Sequence, residues 1–270
     1  MASIYIFRKR YILIFCVAFI LLVTYLNYII KPIPITRVKI DKSVMTYLMN
    51  FATPIEIGSF AWAVEGSGVR ILVDTGCLAE MQTASGFPAE QVYSIEEGLK
   101  RIGWTPRDVD FVILTHLHLD HFANAGKFRN ATIILQRREY EAAVNPHPAY
   151  RHFYNTELIK KTLDGLRVEF VDGEKEIVDG VSVILTPGHT PGGQTVLVKT
   201  EKGVAAIVGF CCIRENFEPP GNLRKFFEFI VPGIHIDTVS LYDSMVRVRD
   251  AADIIIPIHD PEYFEVKSIP

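Results

Sequence analysis

The chain has 270 residues, of which 49% are hydrophobic and 22% charged, so it is neither disordered nor of low complexity. This length suits one domain of roughly 200–250 residues with a sizeable core. The formal net charge is −3, and the first thirty residues hold three basic and no acidic side chains, so the remainder carries −6. An acidic body argues against a nucleic-acid partner, because phosphate binding requires basic surface.

Residues 11–30 read YILIFCVAFILLVTYLNYII, which is twenty residues without a charge. A helix of this length spans a bilayer core, whereas a cleaved signal peptide has an apolar stretch of about 7–15 residues and a cleavage site with small residues. We therefore predict a cytoplasmic tip and transmembrane anchor over residues 1–30. A short tether over 31–35, stiffened by two prolines, would follow it.

The orientation of this anchor depends on the basic residues at its two ends. Arg8, Lys9 and Arg10 precede the apolar run and favour a cytoplasmic N-terminus. Other basic residues, Lys31 and Arg37 among them, follow it closely. The prediction is a single-pass membrane protein with its main domain on the extracytoplasmic side.

Residues 36–270 are predicted to form one α/β domain in which strands alternate with helices. The predicted strands are 36–40, 60–64, 69–73, 111–115, 131–136, three short runs within 168–186, 195–200, 205–210 and 253–259. Helices are predicted near 95–102, 137–144, 155–165 and 238–250. Residues 217–234 lack a regular pattern and would form a flap. Its phenylalanines either line an apolar entrance or pack onto the core: Phe217, Phe226, Phe227 and Phe229.

The strongest chemical signal is an HxHxDH motif directly after the apolar strand 111–114. His116 and His118 are two residues apart, so they project to the same side of an extended segment. After a turn, Asp120 and His121 can face the same point from another direction. Imidazole and carboxylate are common zinc ligands, and four of them within six residues suit one or two divalent cations.

Two further histidines follow predicted strands. His189 lies at the tip of the turn TPGHTPGG, where glycines allow the backbone to bring the imidazole close to an ion. His259 stands at the end of the last apolar strand and is followed by Asp260. Either histidine alone is a weak signal, but after an HxHxDH motif both are candidate metal ligands. His235 either faces the site or supports the helix that begins near Asp237.

These motifs in this order resemble the metallo-β-lactamase fold superfamily, and the early segment LVDTG, which contains Asp74, matches it too. Within that superfamily the chain is most similar to the N-acyl homoserine lactonases, through the segment RENF at 214–217 and the pair His259 and Asp260. The resemblance covers roughly residues 36–265. It implies a four-layer αββα sandwich with two metal ions at one edge.

Carried over by motif, the resemblance implies two Zn²⁺ ions, although other divalent metals suit the same ligands. The first ion would be held by His116, His118 and His189. The second would be held by Asp120, His121 and His259. Asp74 would orient a ligand through a hydrogen bond without touching metal.

One departure concerns residues 209–212, which read GFCC. The family has an aspartate here that bridges both metals, and Gly209 or Phe210 occupies its place. Cys212 stands where the lactonases have a tyrosine. Either Cys211, the preferred candidate, or Cys212 supplies a thiolate ligand, or the site has a weaker second metal or one metal only.

The apolar run and the resemblance together predict a membrane-anchored, metal-dependent hydrolase that opens a small ester-like substrate, with a lactone or acyl-homoserine lactone favoured. Asp120 would orient the attacking water and take up its proton. One alternative is thioester hydrolysis of the glyoxalase II type, and another is a degenerate metal-binding sensor domain without turnover. The sequence gives no indication of the oligomeric state.

Overall fold

The computed structural model describes residues 27–270, and its regular elements follow the predicted alternation of strands and helices. The strands are Ile29–Asp41 (β1), Pro54–Gly66 (β2), Val69–Val73 (β3), Ala89–Gln91 (β4), Phe111–Ile113 (β5), Thr132–Gln136 (β6), Arg167–Val171 (β7), Lys175–Val178 (β8), Val181–Leu185 (β9), Gln194–Thr200 (β10), Gly203–Ile207 (β11) and Ile254–Ile256 (β12). The helices are Ala79–Ala84 (α1), Ile95–Arg101 (α2), Leu119–Phe122 (α3), Arg137–Val144 (α4), Thr156–Leu163 (α5), Arg214–Phe217 (α6) and Thr238–Ala251 (α7).

The strands form two mixed sheets. The first has seven strands in the order β4-β1-β2-β3-β5-β6-β7, and the second has five in the order β12-β11-β10-β9-β8. In the first sheet, β3, β5, β6 and β7 run parallel, and β1 and β2 form a long antiparallel pair. In the second, β11 and β12 are parallel. The carboxyl ends of β3, β5 and β6 therefore meet at one edge of the first sheet.

Alternating residues on each strand build four layers. On β2, Phe60, Trp62 and Val64 are buried in the core between the sheets, whereas Ala61 and Ala63 face the core beneath the helices. The outer face of the second sheet packs on α7. Because side chains alternate with a period of two, each inner strand contributes to two cores. The predicted αββα sandwich is confirmed for the described residues.

The predicted membrane anchor lies mostly in residues 1–26, outside the described residues, and stays a prediction. Its last residues belong to the domain instead. Tyr28 is buried and its N–H donates to the Lys199 carbonyl (3.0 Å), and Ile30 is buried within the inter-sheet core. Between residues 27 and 270, no helix combines the length and the apolar character needed to cross a bilayer.

The predicted tether over 31–35 is wrong, because these residues belong to β1. The Ile30 N–H donates to the Ile269 carbonyl on the side of β1 that faces away from β2. The backbone nitrogens of Pro32 and Pro34 point to the same side of β1 as that of Ile30, because the backbone groups of alternate strand residues point the same way. β4 pairs only with residues 36–38 of β1, so the missing N–H groups of the two prolines break no ladder.

Candidate metal centre

The candidate ligands lie where strands of both sheets end. The HxHxDH segment follows β5, Asp74 follows β3, His189 follows β9 and His259 follows β12. Loops after strand ends can carry polar side chains without interrupting a ladder. The fold therefore brings segments that are up to 185 residues apart in sequence to one place.

Six side chains at this edge form two sets of potential ligands, and within each set the ligand atoms lie within 4.8 Å of one another. The first set is His116, His118 and His189, and the second set is Asp120, His121 and His259. The sets are adjacent, because the ring centroids of His116 and His121 are 3.9 Å apart. These are the six residues that the sequence motifs indicate.

In the first set, the Nδ1 atoms of two histidines are occupied by protein groups. His189 Nδ1 donates to the Ile234 carbonyl (2.7 Å), and His116 Nδ1 lies 3.0 Å from the Thr115 hydroxyl. That hydroxyl donates to Asp74 Oδ2 (2.8 Å), so it accepts from His116. Both histidines are thereby set in the tautomer that leaves Nε2 as an acceptor.

The two imidazoles of the second set are held in the same way. His121 Nδ1 lies 2.7 Å from Asp74 Oδ2, and His259 Nδ1 donates to the Gly58 carbonyl (2.8 Å). Asp120 Oδ2 lies 3.5 Å from His121 Nε2. Asp74 is fully buried and also accepts the Thr115 N–H (2.8 Å). It has a left-handed φ of 58°, a conformation that is uncommon for a non-glycine residue.

The electrostatics of the two sets differ. Burial lowers the pKa of His116 and His118 well below the usual value and brings that of His189 to about 3, so the first set is neutral at physiological pH. Burial opposes charge at His121 too, but Asp120 and Asp74 outweigh it and raise the pKa of His121 to about 9. For Asp120, burial favours the neutral acid, but His121 and His259 lower its pKa below the usual range.

The geometry fits bound cations. Nε2 of His116 and Nε2 of His189 face each other at 3.3 Å, and both are acceptors when their Nδ1 atoms carry the protons. Two lone pairs at this distance repel unless a positive charge lies between them. Imidazoles and a carboxylate are typical ligands of zinc, and four of the five imidazoles here are oriented by a partner at Nδ1.

A buried carboxylate beside the first set has no counterpart among the sequence motifs. Glu139, at the start of α4, is fully buried. It accepts hydrogen bonds from the Leu117 N–H, the Gly192 N–H and the Tyr154 hydroxyl, each 3.0 Å long. Burial raises the pKa of Glu139, and the three donors favour the carboxylate form. In the sequence it is an ordinary helical glutamate that only the tertiary fold distinguishes.

Neither candidate cysteine belongs to a ligand set among the described residues. Cys212 packs with Phe210 in the core between the second sheet and α7. The Cys211 sulfur lies 3.6 Å from the Met45 sulfur, in an apolar cluster. Burial raises the pKa of both thiols in the chain without bound metal. The structure therefore does not support the predicted thiolate ligand, because both cysteines pack in apolar clusters and neither belongs to a ligand set.

Gly209 also leaves no space for a bridging side chain. A Cβ atom at this position would lie 1.7 Å from the carbonyl oxygen of Gln194. The Gly209 N–H donates to the Thr195 hydroxyl (3.1 Å), which fixes the backbone against β10. The glycine therefore permits a close approach of two backbones that an aspartate would disrupt.

A cavity of about 880 Å³ opens over both ligand sets. One wall is apolar and consists of Val38, Ile40, Val44, Met45, Ile57 and Phe87. The lining also includes Pro146 and residues 151–157. Phe217, Phe226, Phe227 and Phe229 do not line this cavity, so of the two roles considered for them the structure does not show the apolar entrance. Phe217 and Phe229 pack in the core beneath α7, and Phe226 is 79% exposed.

His235 supports the start of α7 and does not line the cavity. Its Nδ1 donates to the Pro232 carbonyl (2.8 Å), and its Nε2 lies 2.7 Å from the Thr238 hydroxyl. Asp237 caps the helix by accepting the Ser240 N–H (3.0 Å). Of the two roles considered for His235, the structure shows the supporting one.

A four-layer sandwich with two adjacent sets of histidine and aspartate ligands below an open cavity defines a metal-dependent hydrolase. The family model of the metallo-beta-lactamase superfamily matches residues 55–209. The chain belongs to the metallo-β-lactamase superfamily. Two Zn²⁺ ions are the cofactors that family membership and the donor sets assign to it.

Within this superfamily, the chain is similar to several N-acyl homoserine lactonases. An N-acyl homoserine lactonase of Bacillus cereus is 34% identical over 202 residues, which cover 69% of this chain and 77% of that protein. The lactonase AttM of Rhizobium radiobacter is 32% identical over 61% of this chain and 63% of its own length. A solved N-acyl homoserine lactone hydrolase with the product N-hexanoyl-L-homoserine at its catalytic metal centre has a TM-score of 0.72 and 28% identity. That comparison covers 89% of this chain and 96% of the other.

Proposed function

We propose that the chain hydrolyses the ester bond of a lactone that carries an apolar acyl chain, with N-acyl homoserine lactones as the favoured substrates. The observation that carries the proposal is the apolar wall that leads away from the two ligand sets inside one cavity. Relatives that are N-acyl homoserine lactonases support the same substrate class.

The cavity offers separate environments for the two ends of such a molecule. The lactone ring would lie at the polar end of the cavity, beside the six ligands. The acyl chain requires apolar surface, which lies along β1 and β2 at Val38, Ile40 and Ile57. Each buried methylene group stabilises the bound state by about 0.8 kcal/mol.

When bound, the ions supply Lewis acidity and lower the pKa of a water molecule, so that hydroxide is available near neutral pH. The chain's own residues arrange the rest. Asp120 lines the cavity, its side chain is 20% exposed, and its lowered pKa keeps it ionised, so it can orient the attacking water and accept its proton. The water oxygen adds to the lactone carbonyl carbon, the ring C–O bond breaks, and the leaving oxygen takes up a proton.

The direct test is lactone opening by the full chain, followed by mass spectrometry of the acyl-homoserine product. N-decanoyl and N-butanoyl homoserine lactone are compared with γ-butyrolactone, which has the ring but no acyl chain. We expect turnover to fall in that order as apolar contact is lost. Equal kcat/KM for all three would contradict the role of the apolar wall, and no turnover of any lactone would contradict the proposed activity.

A matched pair of variants tests where the acyl chain lies. Phe87→Ala removes a ring from the apolar wall, and Phe51→Ala removes one from an exposed position outside the cavity. Phe87→Ala is expected to raise KM about 5–20-fold for the decanoyl substrate and much less for the butanoyl substrate. Phe51→Ala should change neither. A Phe87→Ala effect that is independent of chain length would refute this placement.

Thioester hydrolysis is the second candidate, because Arg151 in the lining of the cavity offers a cation for an anionic thiol portion. A glutathione thioester in the same assay separates the two activities. Arg151→Gln should abolish a preference for that thioester and leave the opening of neutral lactones unchanged. Bound metal without turnover of any ester or thioester would instead support the sensor alternative.

A further inference from the structure

We propose that Glu139 is a positioning residue that organises the first ligand set selectively. Its carboxylate joins the two loops that carry this set and ties them to the wall of the cavity. The inference concerns metal binding by this chain and does not depend on which ester the enzyme opens.

The backbone groups that donate to Glu139 lie next to the ligands of the first set in the chain. Leu117, whose N–H donates to Oε1, stands between His116 and His118 in the chain. Gly192, whose N–H donates to Oε2, follows His189 by three residues in the same turn. One carboxylate therefore fixes the backbone beside all three ligands of the first set.

The turn that carries His189 can approach Glu139 only because residue 192 is glycine. A Cβ atom on Gly192 would lie 2.2 Å from the Glu139 backbone nitrogen. The turn thus rests directly on the first residues of α4, and the Gly192 N–H reaches the buried carboxylate. Position 192 is glycine for this contact, which explains one of the glycines of the TPGHTPGG motif.

Tyr154 extends the arrangement to the wall of the cavity. Its hydroxyl donates to Glu139 Oε1 (3.0 Å), and its ring centroid lies 5.3 Å from that of His118. Tyr154 lines the cavity together with its neighbours in residues 151–157. The Tyr154 hydroxyl thus links Glu139 to the cavity-lining segment 151–157, and the Tyr154 ring lies beside His118.

The second set depends on a different carboxylate. Asp74 contacts His121 Nδ1 and accepts the Thr115 N–H, and His259 is held by the Gly58 carbonyl. The hydrogen bonds of Glu139 go to none of these groups. Loss of the Glu139 contacts should therefore weaken the first ion and spare the second.

The experiment isolates each set in the full chain. His259→Ala leaves the first set intact, and His189→Ala leaves the second. Glu139→Gln is placed in each background, and the affinity for Co²⁺ is measured by chelator competition, with the visible absorption spectrum of the bound ion as a second readout. Gln keeps the size of the side chain, but its amide nitrogen cannot accept a backbone N–H.

We expect Glu139→Gln to weaken Co²⁺ binding about 10–100-fold in the His259→Ala chain and to shift the spectrum there. In the His189→Ala chain we expect less than about a 3-fold change, because no hydrogen bond of Glu139 reaches the second set. Equal weakening in both backgrounds would show a general structural role and overturn the proposal. No weakening in either would overturn it as well.

Tyr154→Phe keeps the inference testable if Glu139→Gln fails to fold. It removes one hydroxyl donor and preserves the charge and the ring beside His118. It should weaken the first ion by a smaller factor than Glu139→Gln, with the same restriction to the His259→Ala background. A change confined to the second ion would refute the proposed selectivity.

Discussion

The two ligand sets share one edge of the sandwich but are prepared for metal in different ways. In the first set, burial keeps the imidazoles neutral, with the pKa of His189 at about 3. In the second, Asp120 and Asp74 hold the pKa of His121 at about 9, so this imidazole carries a proton at neutral pH when no metal is bound. The first set can bind a cation directly, whereas His121 in the second set must lose a proton before it can bind one.

The difference follows from the position of the carboxylates. Asp74 contacts a ligand directly at His121 Nδ1, whereas Glu139 contacts backbone N–H groups beside its ligands. A carboxylate against an imidazole stabilises the charged form of the ring. A carboxylate against the backbone orders loops. No described side chain belongs to both sets, although Thr115 contacts a histidine of each.

The largest effect should come from an attempt to join the sets through a bridging carboxylate. Gly209→Asp would place a Cβ atom 1.7 Å from the Gln194 carbonyl oxygen, so β10 and the segment after β11 must move apart. We expect a loss of about 3 kcal/mol in the free energy of unfolding, measured by urea denaturation. We also expect no gain in metal affinity.

Gly221→Asp is the matched control for that variant, because a Cβ atom there would meet nothing within 4 Å. It should change the free energy of unfolding by less than about 0.5 kcal/mol. A stable Gly209→Asp chain with tighter metal binding would show that the two sets accept a shared ligand, which contradicts their separation.

The next effect concerns the second set alone. Asp74 accepts from Thr115 N–H, Thr115 Oγ1 and His121 Nδ1, and an asparagine cannot accept all three hydrogen bonds. Asp74→Asn should weaken the second ion about 10–100-fold, or roughly 1.4–2.7 kcal/mol. Asparagine tolerates the left-handed φ of 58° at this position, so backbone strain does not confuse the result. The affinity is read in the His189→Ala chain.

The Asp74→Asn effect also has an internal control. Thr115 links Asp74 to His116 through one hydroxyl, so a minor change in the first ion is expected in the His259→Ala chain. If Asp74→Asn weakened the first ion as strongly as the second, Asp74 would organise both sets and the comparison would fail.

The smallest effect is a proton count. Since the pKa of His121 is about 9 in the metal-free chain, binding of the second ion at pH 7 should release about one proton, and this release should vanish above pH 9. Binding of the first ion should release none from His189, whose pKa is about 3. Titration of Zn²⁺ into the two single-set chains in weak buffer with a pH indicator measures both. Equal release from the two would contradict the difference in charge.

The raised pKa of His121 also predicts how the free energy of unfolding changes with pH. The folded pKa of His121 is raised above the ordinary value of about 6.5, so its contribution to stability is fully present below that pH and is lost as pH rises through about 9. The lowered pKa values of His116, His118 and His189 act in the opposite sense, since the unfolded chain binds protons there below about pH 6.5.

Short motifs made the ligands predictable from sequence. The HxHxDH motif places four ligand-type side chains within six residues directly after a buried strand. The TPGHTPGG motif predicts a turn that carries one imidazole. The hairpin around Ser67 and Gly68 and the capping box of Ser94 and Glu97 also carry local signals, and both elements are observed. These features depend on neighbours in sequence, which is why they can be identified without the fold.

Other features depend on contacts between distant residues. Glu139 meets Leu117 and Gly192 only after β5, β9 and α4 have come together. The first residues of β1 read as the end of an apolar run and a proline tether, but their pairing with β2 makes them a strand. Cys211 and Cys212 are candidate ligands by their position in the sequence. In the structure, Cys211 packs against Met45 and Cys212 packs in the same core as Phe210.

The most direct test of two separate sets, complete without a thiolate or a bridging carboxylate, is the zinc content of the full chain for the wild type and Cys211→Ala. The six histidine and aspartate ligands predict two Zn²⁺ ions per chain in both. One ion in the wild type, or fewer in Cys211→Ala than in the wild type, would contradict the account, because a sulfur would then be needed where the structure has a buried, neutral thiol.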